Sequence, residues 1–269
     1  MSNAPKDSKR STKEKAAAAR QAAEAEAKRR ERLVRIVGGV AVLAIVAGII
    51  FFAVKGSQTN NPNQIVADAA VPTGVSSSGD YAWGVPASSA PGKPTLAIWE
   101  DFQCPVCANL EKANGATIDQ LAADGKVTLI WRPTTFIDQG PASKNGPNPN
   151  SSQRATMAWG CAVDAGQAEK YHNTIFANQP ATEGDGWSDQ QLLDFGKSVG
   201  ITGDAYVKFA ACYNNKTYNQ WVTNSYLTFT NNGVTGTPTG YLNGKEIPIE
   251  TLSDPTKLKA AVEAAASGS

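Results

Sequence analysis

Thr95-Leu-Ala-Ile-Trp-Glu-Asp-Phe-Gln-Cys104-Pro-Val-Cys107 is the stretch that decides the fold. Its first part, Thr95–Phe102, carries Leu96, Ala97, Ile98 and Trp99 in one unbroken apolar run, which reads as a buried strand. The second part changes character. Pro105 suits the first turn of a helix, where a missing N–H costs nothing. The helical pattern runs on to about Ala123, and Asp124-Gly125 ends it. A strand therefore hands over to a helix at two cysteines with two residues between them. That spacing lets the sulfurs approach bonding distance. Free N–H groups and the helix dipole favour a thiolate at Cys104, so its pKa is expected below the free value of about 8.5. Cys104 reads as the exposed, attacking sulfur and Cys107 as the deeper one that resolves a mixed disulfide. Two plainer readings compete. Half of a zinc ribbon lacks its second cysteine pair, because Cys161 and Cys212 stand alone. A purely structural disulfide across four residues is strained.

Working outward, the pattern is α/β. Tyr81–Val85 reads as a short strand and Val127–Arg132 as the strand after the first helix. Residues 138–150 are rich in Gly, Pro and Asn and read as a loop. A long helical stretch covers 152–232; inside it Ser188 and Gln191 form a capping box, and Asn232-Gly233 stops it. Thr239–Leu242 and Lys245–Ile249 flank Asn243-Gly244, a two-residue hairpin signal. A helix over 255–266 closes the chain. Gly236-Thr237-Pro238-Thr239 stands just before the hairpin. Taken alone, Thr237-Pro238 reads as an ordinary trans turn at a strand edge; with a Cys-x-x-Cys upstream and a hairpin downstream, a cis bond is expected. His172, the only histidine, falls in a helical segment far from the cysteines and is expected at a surface or half-buried position.

The 269 residues sum to +1, and the sum hides a split. Residues 1–55 carry 12 basic and 5 acidic side chains; residues 56–269 carry 13 basic and 19 acidic ones. The basic half has no aromatic or motif support for nucleic-acid binding. Four cysteines and one histidine are too few for a disulfide-dense mini-protein or a zinc site with several His ligands. Ile36 to Val54 is a charge-free run of 19 residues, about 28 Å as a helix, which matches a bilayer core. Lys28, Arg29, Arg30, Arg32 and Arg35 precede it, and Lys55 stands alone after it until Asp68. The expected topology is a single-pass membrane helix over 36–54. The tail 1–35 is then cytoplasmic and everything beyond 55 extracytoplasmic. A cleaved signal peptide is the rival, but its apolar region is usually shorter. Residues 55–79 read as a linker and 80–266 as one domain.

Asp101-Phe-Gln-Cys-Pro-Val-Cys107, the segment Tyr171-His-Asn-Thr-Ile-Phe-Ala-Asn-Gln179, and Gly233-Val-Thr-Gly-Thr-Pro-Thr239 followed by Leu242-Asn-Gly-Lys245 resemble the DsbA-like thiol-disulfide oxidoreductases, closest to their membrane-anchored actinobacterial branch. The resemblance covers roughly residues 80–265. It implies a thioredoxin fold with an α-helical domain inserted over about 150–232, and dithiol/disulfide exchange on exported proteins. It carries the nucleophile to Cys104, the resolving cysteine to Cys107 and the cis-proline loop to Thr237 and Pro238. It implies no cofactor beyond the cysteine pair, and a quinone-coupled membrane partner that reoxidises it. Two departures stand out. Many relatives have a buried acid six positions before the first cysteine, where this chain has Ile98. Glu100, on the Ile98 face of the strand, or Asp101, on the other, could stand in as a proton relay. Val106 replaces the histidine of the strongest oxidants, so the disulfide is expected to be less oxidising than theirs. Cys161 and Cys212, on the oxidising side, are expected to form a structural disulfide.

The function expected is therefore oxidation of exported proteins through Cys104 and Cys107. The alternatives are a reductase or isomerase on the same fold, or a tethered chaperone-like module whose thiols are only structural.

Overall fold

The computed structural model describes residues 64–268. The tail 1–35 and the apolar run 36–54 lie outside them. Among the described residues no helix is long and apolar enough to cross a membrane.

Five strands form one mixed sheet in the order β1-β3-β2-β4-β5. They are β1 Val85–Pro86, β2 Thr95–Glu100, β3 Thr128–Pro133, β4 Thr239–Leu242 and β5 Lys245–Ile247. β2 and β3 run parallel with Ile98 opposite Trp131, and β4 pairs antiparallel on the other side of β2 with Gly240 beside Ile98. A parallel pair needs a long crossover. Here it is α1 Pro105–Leu110, a π-helical turn Glu111–Gly115 and α2 Ala116–Ala123. The β4–β5 hairpin turns on Asn243 and Gly244, both at positive φ, 52° and 77°, as an Asn-Gly turn should.

Strand alternation sorts the two faces. Leu96, Ile98, Leu129 and Trp131 enter the main core. Trp99 points the other way into a small cluster with Phe229, Val234 and Tyr241. The Arg132 guanidinium lies 4.1 Å from the Trp99 ring centroid and covers it.

Between β3 and β4 lies a helical layer: α3 Pro141–Asn145, α4 Ser151–Asp164, α5 Ala168–Ala177, α6 Asp189–Ser198, α7 Gly203–Asn214 and α8 Asn219–Asn231. Helices α9 Ile249–Leu252 and α10 Pro255–Ser267 end the chain. Helix α4 is the hub; it is buried from Ala155 to Ala162 and packs on α5, α6, α7 and α8. The Ser188/Gln191 capping box opens α6 as expected. Gly196 in α6 lets the Phe209 ring approach, since a Cβ there would sit 2.5 Å from it. Gly196→Ala gains about 1 kcal/mol of helix propensity but must displace a buried ring, at about 1–3 kcal/mol. Net destabilisation of about 1 kcal/mol is expected, read as a lower urea midpoint; a raised midpoint would contradict this packing.

Three expectations change. Residues 138–150 are not all loop, for a 3₁₀ turn Ile137–Gln139 and α3 fold there. The buried Asp138 carboxylate organises them, accepting from Ser143 Oγ, Ser152 N and Gln153 N. The last strand is short and gives way to α9. The expected linker 55–79 is docked from Val66 onward. Val66 exchanges two hydrogen bonds with the Asn224 amide, and Thr73 donates twice to Asp164. Pro72 crosses so close to Gly160 that a Cβ there would lie 3.0 Å from it, and Val75 is buried in the core.

Candidate active site

Cys104 is the N-cap of α1, with extended backbone at φ −73° and ψ 119°, and Pro105 follows it as the first helical residue. The backbone reason is local. Cys104 N–H bonds Asp101 O and its own carbonyl accepts from Ala108 N–H, so strand, tight turn and helix join within four residues. Cys107, one turn inside α1, is fully buried. Both thiols are free. Cys104 is less open than expected, at 5% exposure, while Val106 beside it is 52% exposed. The covering group is the Thr237-Pro238 loop, whose peptide bond is cis. The Cys104 thiol donates to Thr237 O at 3.3 Å. The fold thus brings Cys104, Cys107, Thr237 and Pro238 to one place.

The two sulfurs are electrostatically unequal. Cys104 is held down at about 6, first by a hydrogen bond from the Cys107 thiol, then by the Thr237 side chain and the N–H groups of Cys107 and Val106; burial opposes them. Burial pushes Cys107 well above the ordinary thiol range, and the neighbouring Cys104 and Glu100 add to it. A hydrogen bond to a thiolate is worth about 1.5 kcal/mol, or about one pKa unit. Thr237→Val should therefore raise the Cys104 midpoint by up to about one unit, followed by iodoacetamide rate against pH. An unmoved midpoint would remove the hydroxyl from the site.

Glu100 and Asp101 are both buried, but not on opposite faces of one strand. β2 ends at Glu100, the chain turns, and both acids face the helical layer. Asp101 is a structural hub: it accepts from Gln103 N at 2.9 Å, Ile137 N at 2.8 Å and Ser152 Oγ at 2.5 Å. Burial outweighs these donors and lifts its pKa to about 7. Glu100 Oε2 lies 3.0 Å from His172 Nε2. Burial, then the Cys104 charge, raises its pKa well above the carboxylate range.

His172 corrects the expectation of a surface or half-buried residue. It is 1% exposed, stacks on Trp131 at 4.2 Å and meets Phe102, Trp159 and Phe176 edge-on or tilted. Tyr171, His172, Ile175 and Phe176 form the buried stripe of α5. The i,i+4 pairing of His172 with Phe176 was the available signal. Two further residues escaped the sequence reading. Glu111, one turn beyond Cys107, is raised to about 8 by burial and then by Glu100. Gln179 Nε2 donates to Phe102 O at 2.7 Å and Cys104 O at 3.0 Å, tying the cysteine turn to the helical layer. Cys161 and Cys212 are bonded to each other between α4 and α7.

A family profile described as thioredoxin matches residues 85–264. The chain belongs to the thioredoxin family. Its fold is the thioredoxin-like α/β fold, carrying a mixed sheet and many helices. The reduced disulfide bond oxidoreductase DsbG of Mycobacterium tuberculosis is similar at 26% identity and a TM-score of 0.55, over 67% of this chain and 86% of that one. Reduced DsbA of the same organism is similar at 25% identity and a TM-score of 0.55, over 67% and 90%. MdbA of Actinomyces oris, a thiol-disulfide oxidoreductase, shares the fold at 24% identity and a TM-score of 0.59, over 75% and 98%. No curated protein matches the sequence. Within the thioredoxin family, the chain is of the DsbA-like kind.

Proposed function

We propose that this thiol-disulfide oxidoreductase oxidises cysteine pairs of exported proteins. The observation that carries the reading is the unequal pair at the helix N-terminus: a low-pKa Cys104 against the cis-proline loop and a buried, high-pKa Cys107 behind it. In the oxidised enzyme a substrate thiolate attacks Cys104 Sγ. The Cys104–Cys107 bond breaks, its electron pair leaves on Cys107, and that sulfur takes a proton. A second substrate thiolate then attacks the substrate sulfur of the mixed disulfide and releases Cys104 as a thiolate. The enzyme ends reduced by two electrons and the substrate ends with a disulfide. A good leaving group at Cys104 drives the last step, because a low-pKa thiol leaves faster. The Thr237-Pro238 loop borders the reacting sulfur with no N–H at Pro238, so backbone there is open to an extended substrate segment.

The reading places the enzyme outside the cytoplasm, held by residues 36–54. Its reduced cysteines are then reoxidised by a quinone-coupled membrane protein. Charge asymmetry around the apolar run supports this topology.

Cys107→Ala should accumulate mixed disulfides formed when the Cys104 thiolate attacks a disulfide of an exported chain, because Cys107 can no longer attack Cys104 and expel that chain; Cys104→Ser should form none. A reduction potential nearer −120 mV than about −270 mV marks an oxidant. A potential at the reducing end, or no trapped substrate, would overturn the oxidase reading.

A further inference from the structure

Behind the cysteine pair, three side chains from three elements converge: Glu100 at the end of β2, Glu111 in the π-helical turn, and His172 in α5. One oxygen or nitrogen from each lies within 4.8 Å of the other two. Glu100 is 6% exposed; its carboxyl and that of Glu111 meet each other, and no N–H or hydroxyl donor reaches the buried Oε1 of either. Among the described residues, His172 is the only basic group paired with Glu100 or Glu111. Two carboxylates in a low-dielectric interior need two positive charges, supplied as two protons or as one divalent cation.

The histidine is set for metal. Asn173 Nδ2 donates to Asp119 Oδ2 at 2.8 Å, which fixes the amide; turned over, its oxygen would face that carboxylate. Asn173 Oδ1 therefore accepts from His172 Nδ1 at 3.0 Å. The neutral ring then carries its proton on Nδ1 and presents a bare Nε2 to Glu100. An outer-shell acceptor that fixes the tautomer in this way is the usual support of a metal-binding histidine. The backbone also makes room. Glu111 opens the π-helical turn, a feature common at functional sites. Gly115 completes the space, since a Cβ there would lie 2.6 Å from Glu111 Oε2. Glu111, Gly115 and Asp119 also line an open cleft of about 650 Å³ beside α1, which gives an entry path.

We propose that Glu100, Glu111 and His172 form a binding site for a divalent transition cation of the zinc type. Two carboxylates and a neutral imidazole cancel its charge. Mixed N and O donors suit Zn²⁺, Co²⁺ or Mn²⁺ better than Ca²⁺. Ligand distances of about 2.0–2.2 Å need a modest contraction of the group, within reach of carboxylate rotation, and water from the cleft completes the fourth position. The ligands are 11 and 61 residues apart in sequence, so no spacing motif announces them.

The test uses the full chain in detergent, stripped with chelator and oxidised so that Cys104 and Cys107 are bonded and cannot take metal. Zn²⁺ is titrated by calorimetry, with melting temperature read in parallel. One equivalent should bind and raise the melting temperature, with Ca²⁺ giving no such shift. His172→Asn removes the chain's only imidazole. Glu111→Gln, at a half-buried position, covers the case in which that variant does not fold. Each should weaken Zn²⁺ by at least about tenfold, a loss seen even for outer-shell partners. No saturable single site in the wild type, or unchanged affinity in Glu111→Gln, would overturn the proposal.

Discussion

Alkylation of reduced Cys104 should follow a titration with its midpoint near pH 6, about 2.5 units below the free thiol. The sign follows from which state holds the shifted group. The depressed pKa exists only in the reduced, folded protein, because the oxidised form has no thiol to titrate. Its stabilisation of that form is complete above pH 9 and is lost as the pH falls through 6. At pH 7 most of Cys104 is ionised, against about 3% of an ordinary thiol, and the difference is about 1.4 kcal/mol. For a two-electron couple this makes the disulfide about 30 mV more oxidising. Cys107, raised by burial, stays protonated across this range. Reduction then takes up two protons below pH 6 and one above it. The potential should fall by about 59 mV per pH unit below pH 6 and by about 30 mV above it. A single slope of 59 mV through pH 8 would show an unperturbed Cys104. A break at pH 4 or below would contradict the expectation that the disulfide, with Val106 in place of a histidine, is less oxidising than in the strongest oxidants.

What made this site readable is that its key geometry is local. A buried strand, Asp101 to Gln103 and a proline-started helix are set by neighbouring residues, so Cys104 and Cys107 could be placed from sequence. The Ser188 capping box and the Asn243-Gly244 turn were legible for the same reason. The remainder depends on partners far along the chain. His172 reads as a surface or half-buried residue because it lies in a helical segment far from the cysteines in sequence; only β2, 72 residues earlier, supplies Glu100. Gln179 reaches back 75 residues to Cys104 O. The Asp138 network forms because Gln103, Ser143 and Ser152 converge on one carboxylate. Residues 66–75 have linker composition, yet Asn224 and Asp164 hold them from 158 and 91 residues away. Strand alternation also misplaced Asp101, because alternation ends where the strand does.

Replacing both Cys161 and Cys212 by alanine should cost about 2–4 kcal/mol of stability. The bond spans 51 positions, and closing a loop of that size in the unfolded chain is worth about 4 kcal/mol in the chain-entropy model. Cys161 lies in the buried run of α4, so alanine there also trades packed sulfur for a small void. Urea unfolding of the double variant measures the loss. The same loss should appear on adding reductant to a Cys104→Ser/Cys107→Ser chain, where no other disulfide can respond. A change below about 1 kcal/mol in both would mean that the helical layer stands without its crosslink. The consequence reaches the active site through α4 itself. The same helix brings Ser152 to Asp101 and Trp159 to His172, so loosening it relaxes the groups behind the cysteines. The bond is distant from Cys104 in sequence and does not touch its sulfur. The double variant should therefore lose stability well before its Cys104 midpoint moves, and a midpoint that shifts in full proportion to the stability loss would show that the two halves of the domain are coupled more tightly than their packing implies.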